Sequence, residues 1–218
     1  MSCDTIIFDL DGTLVDSLPD VCAALNHVLF DAGYSTLNLS QVKSLIGHGV
    51  SYMLEQAFLI FDHKLHLEKI DQFVRQYLYY YKKNPVANTV VFPFVREVLT
   101  DLYSQGFKMG VCSNKPYQLV KLVLQSLKMD SYFSAIIGGD TFDFCKPDPR
   151  HIHFTLKKME KTTIGAVMVG DSEVDVLAAK NSGIPIILIS YEPLIDKYDS
   201  VDVIINNFSE LPMALQKI

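Results

Sequence analysis

The stretch Ile6-Ile7-Phe8-Asp9-Leu10-Asp11-Gly12-Thr13-Leu14-Val15-Asp16-Ser17 constrains this chain more than any other. A short apolar run rich in β-branched residues, broken by a glycine, reads as a buried strand entering a turn. Strand side chains alternate between faces, so if extended geometry persists, Asp9 and Asp11 project to one side and Leu10 to the other. Two such carboxylates at the end of a buried strand repel each other and resist desolvation. A structural turn has no use for that cost. A hard divalent cation, which binds carboxylate oxygen, would remove it.

The rest of the chain falls into two regimes. From about Asp16 to Asn88 the pattern is helical throughout. Ser17 is placed to cap a first helix with Pro19 in its opening turn, and Gly33 ends it. Ser40 is a second candidate cap. Gly47-His48-Gly49 interrupts, Tyr52–Leu59 is helical, and Ile70, Phe73, Val74, Tyr77, Leu78 and Tyr81 recur at helical spacing. Beyond residue 88, strands over Lys108–Cys112, Ala135–Ile137, Ala166–Val169, Ile184–Ile189 and Val203–Ile205 alternate with helices. These strands are continuous apolar runs, the pattern of a parallel sheet covered on both faces. The expected fold is a doubly wound, Rossmann-like α/β core with an inserted all-helical segment. The expected division is a core of residues 1–15 and 89–218 and a helical domain of residues 16–88.

Composition narrows the class. The 218 residues are 49% hydrophobic and 20% charged, enough for a substantial core. A net charge of −6 speaks against nonspecific nucleic-acid binding. The four cysteines, Cys3, Cys22, Cys112 and Cys145, show neither paired nor zinc spacing and read as buried hydrophobes in a reducing compartment. No signal peptide or membrane-length apolar run is apparent, so the expected location is the cytoplasm.

Ligands of such folds bind beyond the carboxyl ends of the strands. Polar groups collect there: Asp9 and Asp11; Ser113-Asn114-Lys115; Cys145-Lys146-Pro147-Asp148-Pro149; and Gly170-Asp171-Ser172-Glu173-Val174-Asp175. Carboxylates for a metal, a hydroxyl and amide for oxygens, and a lysine for charge suit one phosphate site.

In this order the motifs resemble those of the haloacid dehalogenase superfamily of phosphatases: Asp9–Thr13, Ser113, Lys146-Pro147, and Gly170-Asp171 with Asp175. The resemblance implies a nucleophilic Asp9 that forms an aspartyl-phosphate. It implies Mg²⁺ held by Asp9, the Asp11 backbone carbonyl and Asp171, with Asp175 a direct or indirect partner. Lys146 would screen Asp9. Ser113, with the backbone around Gly12, Thr13 and Asn114, would bind phosphoryl oxygens. Asp11 would protonate the leaving group and then activate water. Other readings remain for single residues: Lys146 as a solvated loop lysine, Asp175 as a helix first-turn acid. Lys115 is expected to be solvated rather than catalytic.

The helical insert would act as a cap that reads the substrate. Gly47 and His48 are its candidate contacts, although a solvated surface turn accounts for them equally. The chain further resembles bacterial phosphoglycolate phosphatases through Asp9–Ser17, Ile46–Gly49, Phe92-Pro93, Ser113–Pro116, Ile137–Asp140, Lys146–Pro149 and Gly170–Lys180. It departs from them at Asn181-Ser182-Gly183 and Tyr191-Glu192-Pro193. The implied reaction is hydrolysis of 2-phosphoglycolate, a small phosphorylated metabolite, by a monomer or homodimer. Competing activities are pyrophosphatase, sugar-phosphate phosphatase and phosphosugar mutase of the same superfamily, and a non-catalytic phosphate-binding regulator.

Overall fold

The computed structural model describes residues 3–191 and 201–218; Glu192 and Pro193 of the second departure lie outside them. Strand β1 (Thr5–Phe8) leads to a two-residue strand β2 (Val15–Asp16). Helices α1 (Leu18–Asp31), α2 (Leu39–Lys43), α3 (Val50–Leu59) and α4 (Leu67–Lys83) follow. The chain returns through β3 (Val90–Val91), α5 (Val95–Ser104), β4 (Lys108–Cys112), α6 (Tyr117–Ser126) and β5 (Ala135–Ile137). It ends with α7 (Pro149–Lys158), β6 (Ala166–Gly170), α8 (Glu173–Ser182), β7 (Ile186–Ile189), β8 (Val203–Ile205) and α9 (Leu211–Leu215).

Among the described residues, six strands form one sheet in the order β5-β4-β1-β6-β7-β8, every neighbouring pair parallel. The α/β expectation is met. Both faces are covered, which is why the strands read as unbroken apolar runs. In β1, Ile6 and Phe8 enter one core cluster with Met109, Val111, Val167 and Val169. Ile7 enters the other with Cys112, Met168, Ile152 and Val176. Each of these β1 side chains is fully buried, worth about 1.5–3 kcal/mol of transfer free energy apiece. Chain order runs outward in both directions from β1, so the crevice beyond its carboxyl end is the switch point where such sheets take ligands.

Extended geometry does not persist to Asp11. β1 stops at Phe8, and the amides of Leu14 and Val15 both turn back to the Leu10 carbonyl at 2.9 and 3.2 Å. The two acids therefore part company: Asp9 meets Lys146, and Asp11 meets Ser17 and Lys115.

Three further local expectations are corrected. β2 and β3 pair antiparallel, a two-strand ribbon through which the chain leaves and re-enters the sheet region; two-residue strands carry no periodic signal. Ser17 sits at the N-cap position of α1, but its hydroxyl bonds Asp11, and Asp16 Oδ1 accepts from the Leu18 amide at 3.2 Å instead. Ser40 lies inside α2; the cap is Asn38, in a reciprocal capping box with Gln41.

The ribbon is reinforced by Asp20 of α1. Its buried carboxylate accepts from the Asn88 and Thr89 amides at 2.9–3.0 Å, from Asn88 Nδ2 at 3.1 Å and from Thr89 Oγ1 at 2.6 Å. Burial raises its pKa, but these donors outweigh that and hold the carboxyl below the ordinary carboxylate range.

Candidate active site

A cavity of about 600 Å³ lies between the carboxyl edge of the sheet and the helices α1–α4. Asp9, Asp11, Ser113, Lys115 and Asp171 line its sheet side. Lys43, Ile46, Gly47, Gly49, Met53 and Tyr77 line its helical side.

Asp9, Asp171 and Asp175 each present a carboxylate oxygen within 4.8 Å of the other two. The local sequence explains the crowding. Gly12 has φ +83°, and a Cβ there would stand 2.2 Å from Asp171 Oδ2. At Gly170 a Cβ would stand 2.4 Å from the Asp175 carboxyl carbon. Neither position can carry a side chain while both acids keep their places. Thr13, fully buried, donates its hydroxyl to Asp171 Oδ1 at 2.8 Å, and Tyr191 donates to the Thr13 carbonyl at 2.9 Å. Thr13 thus orients Asp171 and does not line the cavity.

Lys146 is 3% exposed, so it is no solvated loop lysine. Its Nζ stands 3.0 Å from Asp9 Oδ1 and 2.6 Å from Asp175 Oδ1. Asp175 is also saturated at Oδ2, which accepts from the Ser172 amide and hydroxyl in the capping box of α8. Both sequence readings of Asp175 therefore meet in one residue: it serves the helix turn and it faces the acid cluster. Asp9 Oδ1, despite its ion pair, is a buried oxygen without a hydrogen bond. Burial pushes the Asp9 pKa up to about 6 against the opposing pull of Lys146. Burial, with Asp175 and Asp9 nearby, raises that of Asp171 well above its ordinary value. Three clustered carboxylates against one lysine leave negative charge uncompensated, and the oxygen donors suit a hard divalent cation.

Asp11 turns away from this cluster. Both its oxygens accept from Lys115 Nζ, at 2.9 and 3.1 Å, and Oδ1 also accepts from the Ser17 hydroxyl. Lys115, expected to be solvated, is 7% exposed. Burial lowers its pKa, but Asp11, Tyr81 and Tyr77 together outweigh this and hold it above its ordinary value. Sequence reasoning missed it because its partners are remote; its place straight after a strand-end Ser-Asn was the available signal. Tyr81 of α4, which bonds Lys115 at 2.9 Å, was read only as helical core.

Ser113 lines the cavity, 2% exposed. Asn114 is a bracket: its Nδ2 donates to the Gly47 and Lys146 carbonyls, both at 2.8 Å, and its Oδ1 accepts from the Lys146 amide. The Gly12 amide is spent on the Val15 carbonyl at 2.9 Å. Gly47 lines the cavity, whereas His48 is exposed, its ring 4.8 Å from that of Tyr52 and outside the lining. Among the described residues no helix is long and apolar enough to cross a membrane, and the four cysteines are free.

Residues 6–189 match the family of haloacid dehalogenase-like hydrolases, and the chain belongs to that family. It is 35% identical over 213 residues to the phosphoglycolate phosphatase of Agrobacterium fabrum, covering 96% of this chain and 91% of that one. It is 34% identical over 212 residues to that of Caulobacter vibrioides, covering 96% and 90%. The crystal structure of a predicted phosphoglycolate phosphatase from Haemophilus somnus superposes with a TM-score of 0.86 at 28% identity, covering 96% of each chain.

Proposed function

We propose that this enzyme hydrolyses phosphate monoesters through a phosphorylated Asp9, with 2-phosphoglycolate as substrate and glycolate and phosphate as products. The observation that carries the reading is the placement of Asp9 at the switch point. It is buried, ion-paired to Lys146, and open to a cavity large enough for a small phosphate ester.

An anionic nucleophile approaching an anionic phosphoryl group meets strong repulsion, so charge neutralisation dominates the barrier. Lys146 supplies part of it beside Asp9. Asp9, Asp171 and the Asp11 carbonyl, with Asp175 as a direct or indirect partner, would hold Mg²⁺, which would supply the remaining positive charge. Asp9 attacks phosphorus while the Ser113 hydroxyl holds a phosphoryl oxygen. Asp11 gives its proton to the departing alkoxide. It then takes a proton from the water that attacks the aspartyl-phosphate, releasing phosphate and restoring Asp9. Outside the acid cluster, Lys115 and Ser17 hold the Asp11 side chain at the cavity wall where this proton traffic passes.

Residues 16–88 act as a cap over residues 1–15 and 89–218, hinged at the β2–β3 ribbon. Recognition of the leaving group falls to the helical side of the cavity, where Lys43 adds positive charge and the backbone at Gly47 and Gly49 allows close approach.

The test is phosphate release from a panel of 2-phosphoglycolate, sugar phosphates, pyrophosphate and an aryl phosphate, with and without Mg²⁺. The highest Mg²⁺-dependent kcat/KM is expected for 2-phosphoglycolate. A better pyrophosphate or sugar-phosphate value refutes the substrate, and no release from any ester refutes the activity.

A further inference from the structure

We propose that Lys115 is a positioning residue that ties the orientation of the Asp11 carboxylate to the seating of α4 through the Tyr81 hydroxyl. The inference rests on the reading of Asp11 as the proton carrier. An ammonium has three protons to place. Lys115 Nζ lies 2.9 and 3.1 Å from the two oxygens of Asp11 and 2.9 Å from Tyr81 Oη, so all three are satisfied. The same nitrogen stands 4.4 Å from the Tyr81 ring centroid, over its face. Lys115 is 7% exposed and Tyr81 2% exposed. A desolvated ammonium with fixed partners has little freedom to reorganise.

The geography gives this triad its meaning. Asp11 follows β1, Lys115 follows β4, and Tyr81 comes from α4 across the cavity. A two-point hold on Asp11 fixes the plane of its carboxylate, and the hold is complete only while α4 is docked. Displacing α4 removes the third partner from a buried cation and frees it to swing. Ser17, the other donor to Asp11, sits at the start of α1, so both supports of Asp11 lie at or beside the helical segment. Tyr77, one turn earlier on α4 and 5.7 Å from the Tyr81 ring, lines the cavity, so α4 also touches the space the substrate fills.

A residue acting through a proton donor has a signature that a merely structural residue lacks. An alkoxide leaving group needs the proton; an aryl oxide of low basicity needs it far less. Because kcat/KM reports only steps up to the first irreversible one, it isolates formation of the phosphoenzyme. The experiment compares Lys115→Met, Tyr81→Phe and Asp11→Asn with the parent enzyme on 2-phosphoglycolate and on p-nitrophenyl phosphate. Lys115→Met is expected to lower kcat/KM for 2-phosphoglycolate about tenfold or more, and to lower that for the aryl ester by clearly less. Tyr81→Phe, which keeps the ring and removes only the hydroxyl, is expected to show the same asymmetry at about threefold. Equal losses on the two esters, or no loss, overturn the positioning role. Should Lys115→Met not fold, Tyr81→Phe alone decides by the same criterion. Asp11→Asn separates the two ideas: an active Asp11→Asn enzyme refutes Asp11 as proton carrier. An inactive one beside symmetric or silent Lys115 and Tyr81 variants refutes only the tie to α4.

Discussion

The Thr13 hydroxyl donates to Asp171 Oδ1 at 2.8 Å, joining the loop after β1 to the loop after β6 across the mouth of the acid cluster. Thr13 reaches no cavity surface, yet it fixes which Asp171 oxygen remains free. Thr13→Val keeps the shape and removes the donor. Partners behind a metal ligand commonly carry 10–100-fold of metal affinity. The variant should therefore need about tenfold more Mg²⁺ for half-maximal activity, with kcat at saturating metal changed less. Titrating activity against Mg²⁺ checks this; an unchanged half-saturation point contradicts it.

Asp20 should matter to stability more than to chemistry. Asp20→Ala strands the buried amide and hydroxyl of Thr89 and gives up the bonds to the more exposed Asn88, a loss of about 2–3 kcal/mol. For a chain of this size that corresponds to a fall in Tm of roughly 4–12 °C. The pKa of Asp20 lies below the unfolded carboxylate value, so the folded form binds fewer protons there. Its contribution is full above the unfolded value and is lost as pH falls through the folded one. Melting curves for parent and variant should therefore converge in strong acid and separate at neutral pH.

His151 should make the fold sensitive to mild acid. Its Nδ1 accepts from the Lys146 amide at 3.2 Å and its Nε2 faces the Gly138 carbonyl at 3.2 Å, an arrangement that needs the neutral ring. Burial, then Lys146, pushes its pKa down to about 4. Between the ordinary value near 6.5 and that figure, the unfolded chain binds a proton that the folded chain refuses. Stability should fall by roughly 2–3 kcal/mol from pH 7 to pH 4.5 on this account alone. Denaturant unfolding of the parent and of His151→Asn tests it: the variant's pH slope over that range should be shallower by this amount.

The core was legible because its strands are buried on both faces and therefore carry unbroken apolar runs. Lys108–Cys112 and Ala135–Ile137 were read at the bounds the fold shows. The acid cluster was legible in part: reading the strand-end loops put Asp9, Asp171 and Asp175 at one edge, and they converge. The expected pairing of the Asp9 and Asp11 side chains fails, because the chain turns at Leu10 and Asp11 goes to Lys115. What escaped was whatever depends on distant partners or very short elements. Lys115 finds Tyr81 34 residues away and Asp11 104 residues away; its place after the strand-end Ser-Asn marks it as near the site but does not name those partners. β2 and β3 are too short for a period. Asn38 was hidden by the nearby Ser40, although the Asn-x-x-Gln spacing with Gln41 marks the true cap. His48 drew attention through its glycines, but those glycines, not the ring, approach the cavity.

The central claim is that Asp9 accepts the phosphoryl group. Rapid acid quenching during turnover of phosphorus-labelled 2-phosphoglycolate, followed by peptide mapping, tests it most directly. The account predicts label on the peptide containing Asp9 in the parent enzyme, and none in a folded, inactive Asp9→Asn variant. Label on another residue, or turnover retained by Asp9→Asn, would contradict it.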